Sequence, residues 1–169
     1  MYSKILSQDP LDGVLTLEEA KRQCRVMHDF DDALIESLIP AAAELAQVYA
    51  ERALTPAVVA SVVESYKPQV QLQYGEATDV TELQLDGSVS TDYEFDDITQ
   101  KITIGTRYNK LKVTYNCGYT AVPTQIKQAI LITISTLYNN REEFITGATV
   151  AELPMTACRL IDSVKYYGI

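Results

Sequence analysis

Leu111-Lys112-Val113-Thr114-Tyr115-Asn116-Cys117-Gly118-Tyr119, followed by Val122-Pro123-Thr124 and a long apolar run toward Phe144, is the stretch whose reading decides the fold. Leu111, Val113 and Tyr115 alternate with polar residues, which predicts a strand with one buried face. Gly118 can take a backbone conformation closed to other residues. Pro123 suits the edge of a first helical turn, where its missing N–H costs nothing. From Thr124 the period lengthens. Ile126, Ala129, Ile130, Thr133, Ile134, Leu137 and Tyr138 make a wide apolar face, and Gln125, Gln128, Ser135, Asn139 and Glu142 a narrow polar stripe. A helix so apolar is packed on most sides. At about 1.5 Å per residue the predicted helix, 124–144, is roughly 30 Å long, and its recurring polar residues argue against a lipid-facing span. Leu17, Leu38, Tyr115, Ile126, Ile130 and Leu137 are the expected core.

Upstream, Thr16-Leu17-Glu18-Glu19 has the form of a capping box, so a helix should follow. Its expected apolar face is Leu17, Ala20, Cys24 and Met27, with an end near His28. Asp29-Phe30-Asp31-Asp32 opens the next helix, its carboxylates sited where the positive end of a helix dipole favours them. That pattern continues through Leu38 and Leu45 toward Arg52. Pro40 falls inside it and should kink the helix or start a second segment. Helical pattern thus fills 16–54.

From Val58 the period becomes two. Val58–Tyr66, Val70–Tyr74, Leu83 and Leu85, Val89–Phe95, Ile102–Ile104 and Leu111–Tyr115 predict an antiparallel meander of four to six strands, with Asp86-Gly87 as a hairpin turn. The expected class is α+β: a small helical bundle with a β-sheet inserted between its second and third main helices. Residues 1–14, with Asp9-Pro10 and Asp12-Gly13, read as an extended arm. The connector domain spans 15–147, with the β insertion at 58–116. Residues 148–169 form a C-terminal segment with a short helix after Pro154 and an aromatic end in which Leu160, Tyr166, Tyr167 and Ile169 are candidate partner-binding residues, tyrosine being enriched at interface anchors.

The composition bounds the function. The chain has 169 residues, 47% hydrophobic, with 11 Tyr and no Trp, enough for one domain with its own core. A formal charge of −9 argues against a protein that grips phosphate backbones, which needs clustered Lys and Arg. Cys24, Cys117 and Cys158 are odd in number and far apart, so reduced thiols are expected rather than a disulfide framework or zinc site. Neither a signal-peptide core nor a membrane span is apparent.

Catalytic constellations are nearly absent. His28 is the sole histidine and sits beside Asp29 at an expected helix end, a common structural place for the residue. Asp29, Asp31 and Asp32 begin like a calcium loop, but Leu34 stands where that loop needs Gly and Pro40 where it needs Glu. Glu94, Asp96 and Asp97 could cluster around a metal, or simply decorate a solvated strand end. No Gly-rich phosphate loop exists. No enzyme, cofactor or metal is therefore expected.

The order of these pieces resembles the head–tail connector (adaptor) proteins of tailed bacteriophages. The resemblance rests on Leu15-Thr16-Leu17-Glu18-Glu19-Ala20-Lys21, on Asp31-Asp32-Ala33-Leu34-Ile35 leading to Ala50-Glu51-Arg52-Ala53-Leu54, and on Val113–Tyr119, Val122–Ile130 and Tyr138–Glu142. It covers roughly residues 15–145, with a weaker echo at Leu153-Pro154 and Arg159-Leu160. It implies a non-catalytic virion protein that is made in the host cytoplasm and sits in the neck between capsid and tail. Copies, usually twelve, form a ring beneath the portal and extend the DNA channel toward the stopper or tail-completion protein. Its implied partners are the portal, the stopper and itself, with DNA passing unbound during packaging and ejection. Pro40, within a helix usually unbroken, and a longer arm before Leu15 depart from that pattern. A second reading, an acidic protein-binding inhibitor that mimics DNA toward a host enzyme, rests on the charge alone, and the carboxylates are dispersed rather than regularly spaced.

Overall fold

The computed structural model describes residues 1–140 and 153–165. These divide into two compact units. Residues 1–9 and 51–120 build a sheet unit; residues 10–50, 121–140 and 153–165 build a helical unit. The class is α+β, as the periodicities predict.

The helical unit contains, among the described residues, α1 (Leu17–Cys24), α2 (Asp32–Ala50), α3 (Thr124–Asn139) and α4 (Met155–Asp162). The capping box forms as read: the Glu19 amide donates to Thr16 Oγ1 at 3.2 Å, and the Thr16 amide donates to Glu19 Oε2 at 2.8 Å. α3 touches α1, α2 and α4, and it buries Ile126, Ala129, Ile130, Thr133, Ile134 and Tyr138. Spacings of three and four put those side chains on one broad face. Buried Thr133 satisfies its hydroxyl by donating to the Ala129 carbonyl at 2.9 Å. Leu38, Ile126 and Ile130 are buried, while Leu17 and Leu137 are half-buried at the edge of the core.

Of the kink and the second segment expected at Pro40, the second segment is excluded, and a further expectation needs correction. α2 runs continuously from Asp32 to Ala50 with Pro40 inside it, so no second segment starts. An interior proline costs a helix about 3 kcal/mol. Ile35, Leu38, Ile39, Ala42 and Ala43 are all buried around it, and that packing holds both turns helical. The further one concerns Met27, expected on the buried face of α1. α1 stops at Cys24 because Arg25 takes the left-handed conformation (φ 58°). The Arg25 amide then donates to the Arg22 carbonyl and the Val26 amide to the Lys21 carbonyl, the paired bonds of a Schellman cap. The chain leaves the helix four residues before His28, and Met27 is 99% exposed.

The sheet unit holds β1 (Tyr2–Gln8), β2 (Ala57–Val63), β3 (Gln69–Gln71), β4 (Asp79–Leu85), β5 (Ser88–Val89), β6 (Tyr93–Asp96), β7 (Lys101–Ile104) and β8 (Leu111–Cys117). All pairings are antiparallel, but the strands do not follow one meander. They form a five-stranded sheet in the order β1-β2-β8-β4-β5 and a three-stranded sheet in the order β3-β7-β6. β8, the last of these strands in sequence, therefore lies between β2 and β4. β2 and β8 alternate buried and less buried residues, with Val59 opposite Tyr115 and Ser61 opposite Val113. Both sheets contribute to one core, in which Val59, Val113 and Tyr115 join Val70, Ile102 and Ile104.

Residues 2–8, read as an extended arm, are extended and also paired. β1 forms an edge of the larger sheet against β2, with a bulge between Ile5 and Ser7. The Asp86-Gly87 hairpin closes β4 onto β5 with φ of 50° and 86°, the positive pair that a two-residue type I′ turn needs. Gly118 follows β8 at φ 104°, and a Cβ there would collide with the Thr55 carbonyl. Only glycine fits both the angle and the space.

Candidate functional site

Of the residues weighed for chemistry, Asp29, Asp31, Asp32 and Asp96 are engaged by their neighbours. Lys21, only 16% exposed in its side chain, reaches Asp29 at 2.9 Å and Asp32 at 2.6 Å, ties the α1–α2 loop to α1, and has its own pKa raised by those two carboxylates. Asp31 accepts from the Tyr138 hydroxyl and lies 3.9 Å from His28 Nε2. The Asp29–Asp32 run is thus a loop staple. Asp96 is consumed by its own turn: its Oδ1 accepts from the Ile98 and Thr99 amides at 2.9 and 3.1 Å, and Oδ2 accepts from the Thr99 hydroxyl at 2.8 Å. The Thr99 hydroxyl and amide, then the Ile98 amide, hold this carboxyl below the usual carboxylate range. Among the described residues no three His, Cys, Asp or Glu side chains converge as a metal site.

Cys117 and Tyr115 are buried, which pushes the Cys117 thiol up to about 12 and the Tyr115 phenol higher still. Neither is poised to react, since the thiolate is the nucleophile. The Tyr115 hydroxyl donates to the Gln73 carbonyl at 2.6 Å and lies 3.3 Å from Ser61 Oγ, itself 2.6 Å from Ser3 Oγ. That chain of polar contacts ties three strands and a loop together. It is structural.

The surface is where unusual features lie. Met27 and Phe30, at the tip of the α1–α2 loop, are 99% and 94% exposed. The staple from Lys21 holds this tip in shape. Beside it is a groove of about 800 Å³ lined by Leu17, Lys21, Arg22, Arg25, Val26 and Met27 among others. Arg22 is taken up by Glu18 at 2.6 Å, and Arg25 is exposed. In the sheet unit, the β6–β7 turn presents Ile98 at 83% exposure. The β1 edge exposes Tyr2 and Leu6. Isolated exposed apolar residues are ordinary; it is contiguous apolar patches that mark contact surfaces.

α4 carries the candidate terminal anchor. It buries Ala157 and Ile161, leaving Leu160 half-buried. The Tyr49 hydroxyl donates to Asp162 at 3.0 and 3.2 Å, and Lys165 Nζ donates to the Tyr49 carbonyl at 3.0 Å. The Asp162 carboxylate raises the Tyr49 phenol to about 12. Tyr166, Tyr167 and Ile169 lie outside the described residues, as do 141–144 of the long predicted helix. Sequence reasoning missed Met27, Phe30 and Ile98 as surface features. The first was hidden by an arginine in a left-handed cap that usually calls for glycine or asparagine.

These features define a class: an α+β protein in which no metal-binding cluster is seen among the described residues and whose exposed tips carry apolar side chains. The family model of phage gp6-like head-tail connector proteins matches residues 14–165, and the chain belongs to that family of structural, non-enzymatic virion proteins. Solved structures agree in fold. A chain from the neck of an empty gene transfer agent particle, computed with C6 symmetry, superposes with a TM-score of 0.75 at 14% identity. One from the virion of a native gene transfer agent particle gives 0.73 at 16%, and one from a native neck computed with C12 symmetry gives 0.72 at 15%. Each alignment covers 100% of this chain and 97% of the other. No curated protein matches the chain in sequence. Among the described residues no helix is long and apolar enough to cross a membrane.

Proposed function

We propose that this connector is a neck adaptor: copies form a ring, twelve in number, beneath the portal, and the ring extends the DNA channel toward the stopper and tail. The observation that carries the reading is the family match across residues 14–165, supported by full-length likeness in fold to chains solved in necks reconstructed with sixfold and twelvefold symmetry. A closed ring needs a rigid protomer and two different surfaces that meet head to tail. The stapled apolar tips supply such surfaces. A formal charge of −9 suits a channel wall past which DNA slides during packaging and ejection, because like charge repels it at short range.

The test is reconstitution. Purified protein mixed with portal rings, read by electron microscopy and native mass spectrometry, should give a portal–adaptor complex with an added ring of twelve. Absence of any complex rejects the reading, whereas a monomer in isolation does not, since the portal can template assembly. The C-terminal anchor, with Leu160 on α4 and Tyr166, Tyr167 and Ile169 beyond it, is the proposed grip on the neighbouring neck protein. Its deletion must begin at Tyr166, because Ile161 is fully buried. Removing 166–169 should leave melting unchanged and weaken portal binding; undiminished binding rejects the anchor.

A further inference from the structure

Two tips on this chain have complementary chemistry. The first is the groove beside Met27. Of the cations lining it, Lys21 is committed to Asp29 and Asp32, and Arg22 to Glu18. Arg25 is exposed, and no described side chain pairs with its guanidinium. It is also fixed: its backbone is the left-handed cap of α1, bonded through its amide to Arg22 and Lys21. Leu17, Val26 and Met27 provide an apolar floor and wall next to it. At about 800 Å³ the groove is wide enough for a turn of chain rather than one side chain.

The second is the β6–β7 turn. Asp96 locks it with three hydrogen bonds, so Ile98 projects at 83% exposure from a preformed loop and loses little freedom on docking. Asp97, its neighbour, is exposed, and its carboxylate has no partner among the described residues. An isoleucine knob with an adjacent free carboxylate matches an apolar groove with an adjacent free guanidinium. The β1 edge is a weaker candidate, because its bulge and Lys4 are the devices that discourage edge pairing.

The geometry points to a head-to-tail contact between copies of this chain, in which the Asp96–Thr99 turn of one protomer seats Ile98 in the Leu17–Met27 groove of the next and pairs Asp97 with Arg25. Both halves belong to one sequence, so each copy offers a donor tip and an acceptor groove. Such a heterologous contact closes into a ring when the rotation per step divides a full turn. This inference rests on the ring reading and supplies its protomer–protomer contact.

The test is a charge swap read on self-association by analytical ultracentrifugation at low salt, and on rings by electron microscopy with portal present. Arg25→Glu and Asp97→Arg, both at exposed positions, should each leave melting unchanged and weaken association about tenfold, since each sets like charges together. The double variant should recover most of that loss, and rising salt should weaken the wild type but not Ile98→Ser, which should already be reduced to monomer alone. Single variants that associate like the wild type, or a double variant no better than the singles, overturn the contact. Wild-type rings on portal that are indifferent to all these changes overturn it while leaving the ring intact. Wild type that neither self-associates nor joins portal overturns both.

Discussion

The helical unit is built around one member: α2 and α3 each meet the other three described helices, but the three most extensive helix–helix contacts all involve α3, whose buried face spans Ile126 to Tyr138. The sheet unit has no such hub. Its core is shared between two sheets, and β8, the last strand to be made, is inserted between β2 and β4. A hub concentrates stability in one segment with a readable sequence pattern. A shared core spreads it over register, turns and close approaches that depend on distant residues. The two units should therefore respond differently to single changes, and hydrogen exchange resolved by residue can follow α3 and β8 amides separately.

The severest test is Ile130→Asp. Burying an unpaired carboxylate in the hub should cost at least about 4 kcal/mol, and α3 amides should lose protection or the protein should precipitate. A soluble variant with unchanged melting would remove α3 from the centre of the helical unit. The sheet unit's counterpart is Gly118→Ala, which combines a positive φ with a collision at Thr55; about 3 kcal/mol is expected, with β8 and β2 amides exchanging faster than those of α3. Equal loss in both units would show that the comparison between them is false and that they unfold together. Smaller still, Tyr138→Phe removes the hydroxyl that donates to Asp31, for about 1 kcal/mol confined to the helical unit.

pH sharpens the contrast at its finest grain. Asp96 has a depressed carboxyl in the folded chain, so its contribution is present above the ordinary carboxylate value of 3.8 and is lost as pH falls through the lower folded value. Its effect should be a local loosening of the 96–99 turn in acid, seen as faster exchange at Ile98 and Thr99 and absent in Asp96→Asn. Tyr49 behaves oppositely. Its raised phenol stabilises the Asp162 clasp fully below about 10, and that support disappears as pH rises through about 12. Mutation to Phe should abolish any alkaline change in α4 protection.

The legible parts share a physical cause. Periodicity marks which side of a segment is dry, so α2, α3, β2 and β8 could be placed from residues such as Leu38, Ile130, Val113 and Tyr115 alone. Local hydrogen-bond chemistry also writes itself into short motifs. Thr16 with Glu19, and Asp86 with Gly87, formed the cap and the hairpin turn they spell. Four residues or fewer decide such features, and no distant contact can easily override them.

What the sequence by itself determined was therefore the α+β class, the central helix, the placement of most strands and the order of motifs that marks a head–tail connector. Only the tertiary structure decided that Pro40 rests inside an unbroken helix, that residues 2–8 complete a sheet edge, that the strands divide into two sheets with β8 inserted, and that Met27 faces outward. Each of these is settled by packing between segments far apart in the chain, or by one backbone angle at Arg25. Such energies belong to pairs of segments and conformations, and a one-dimensional pattern of apolar and polar residues does not encode them.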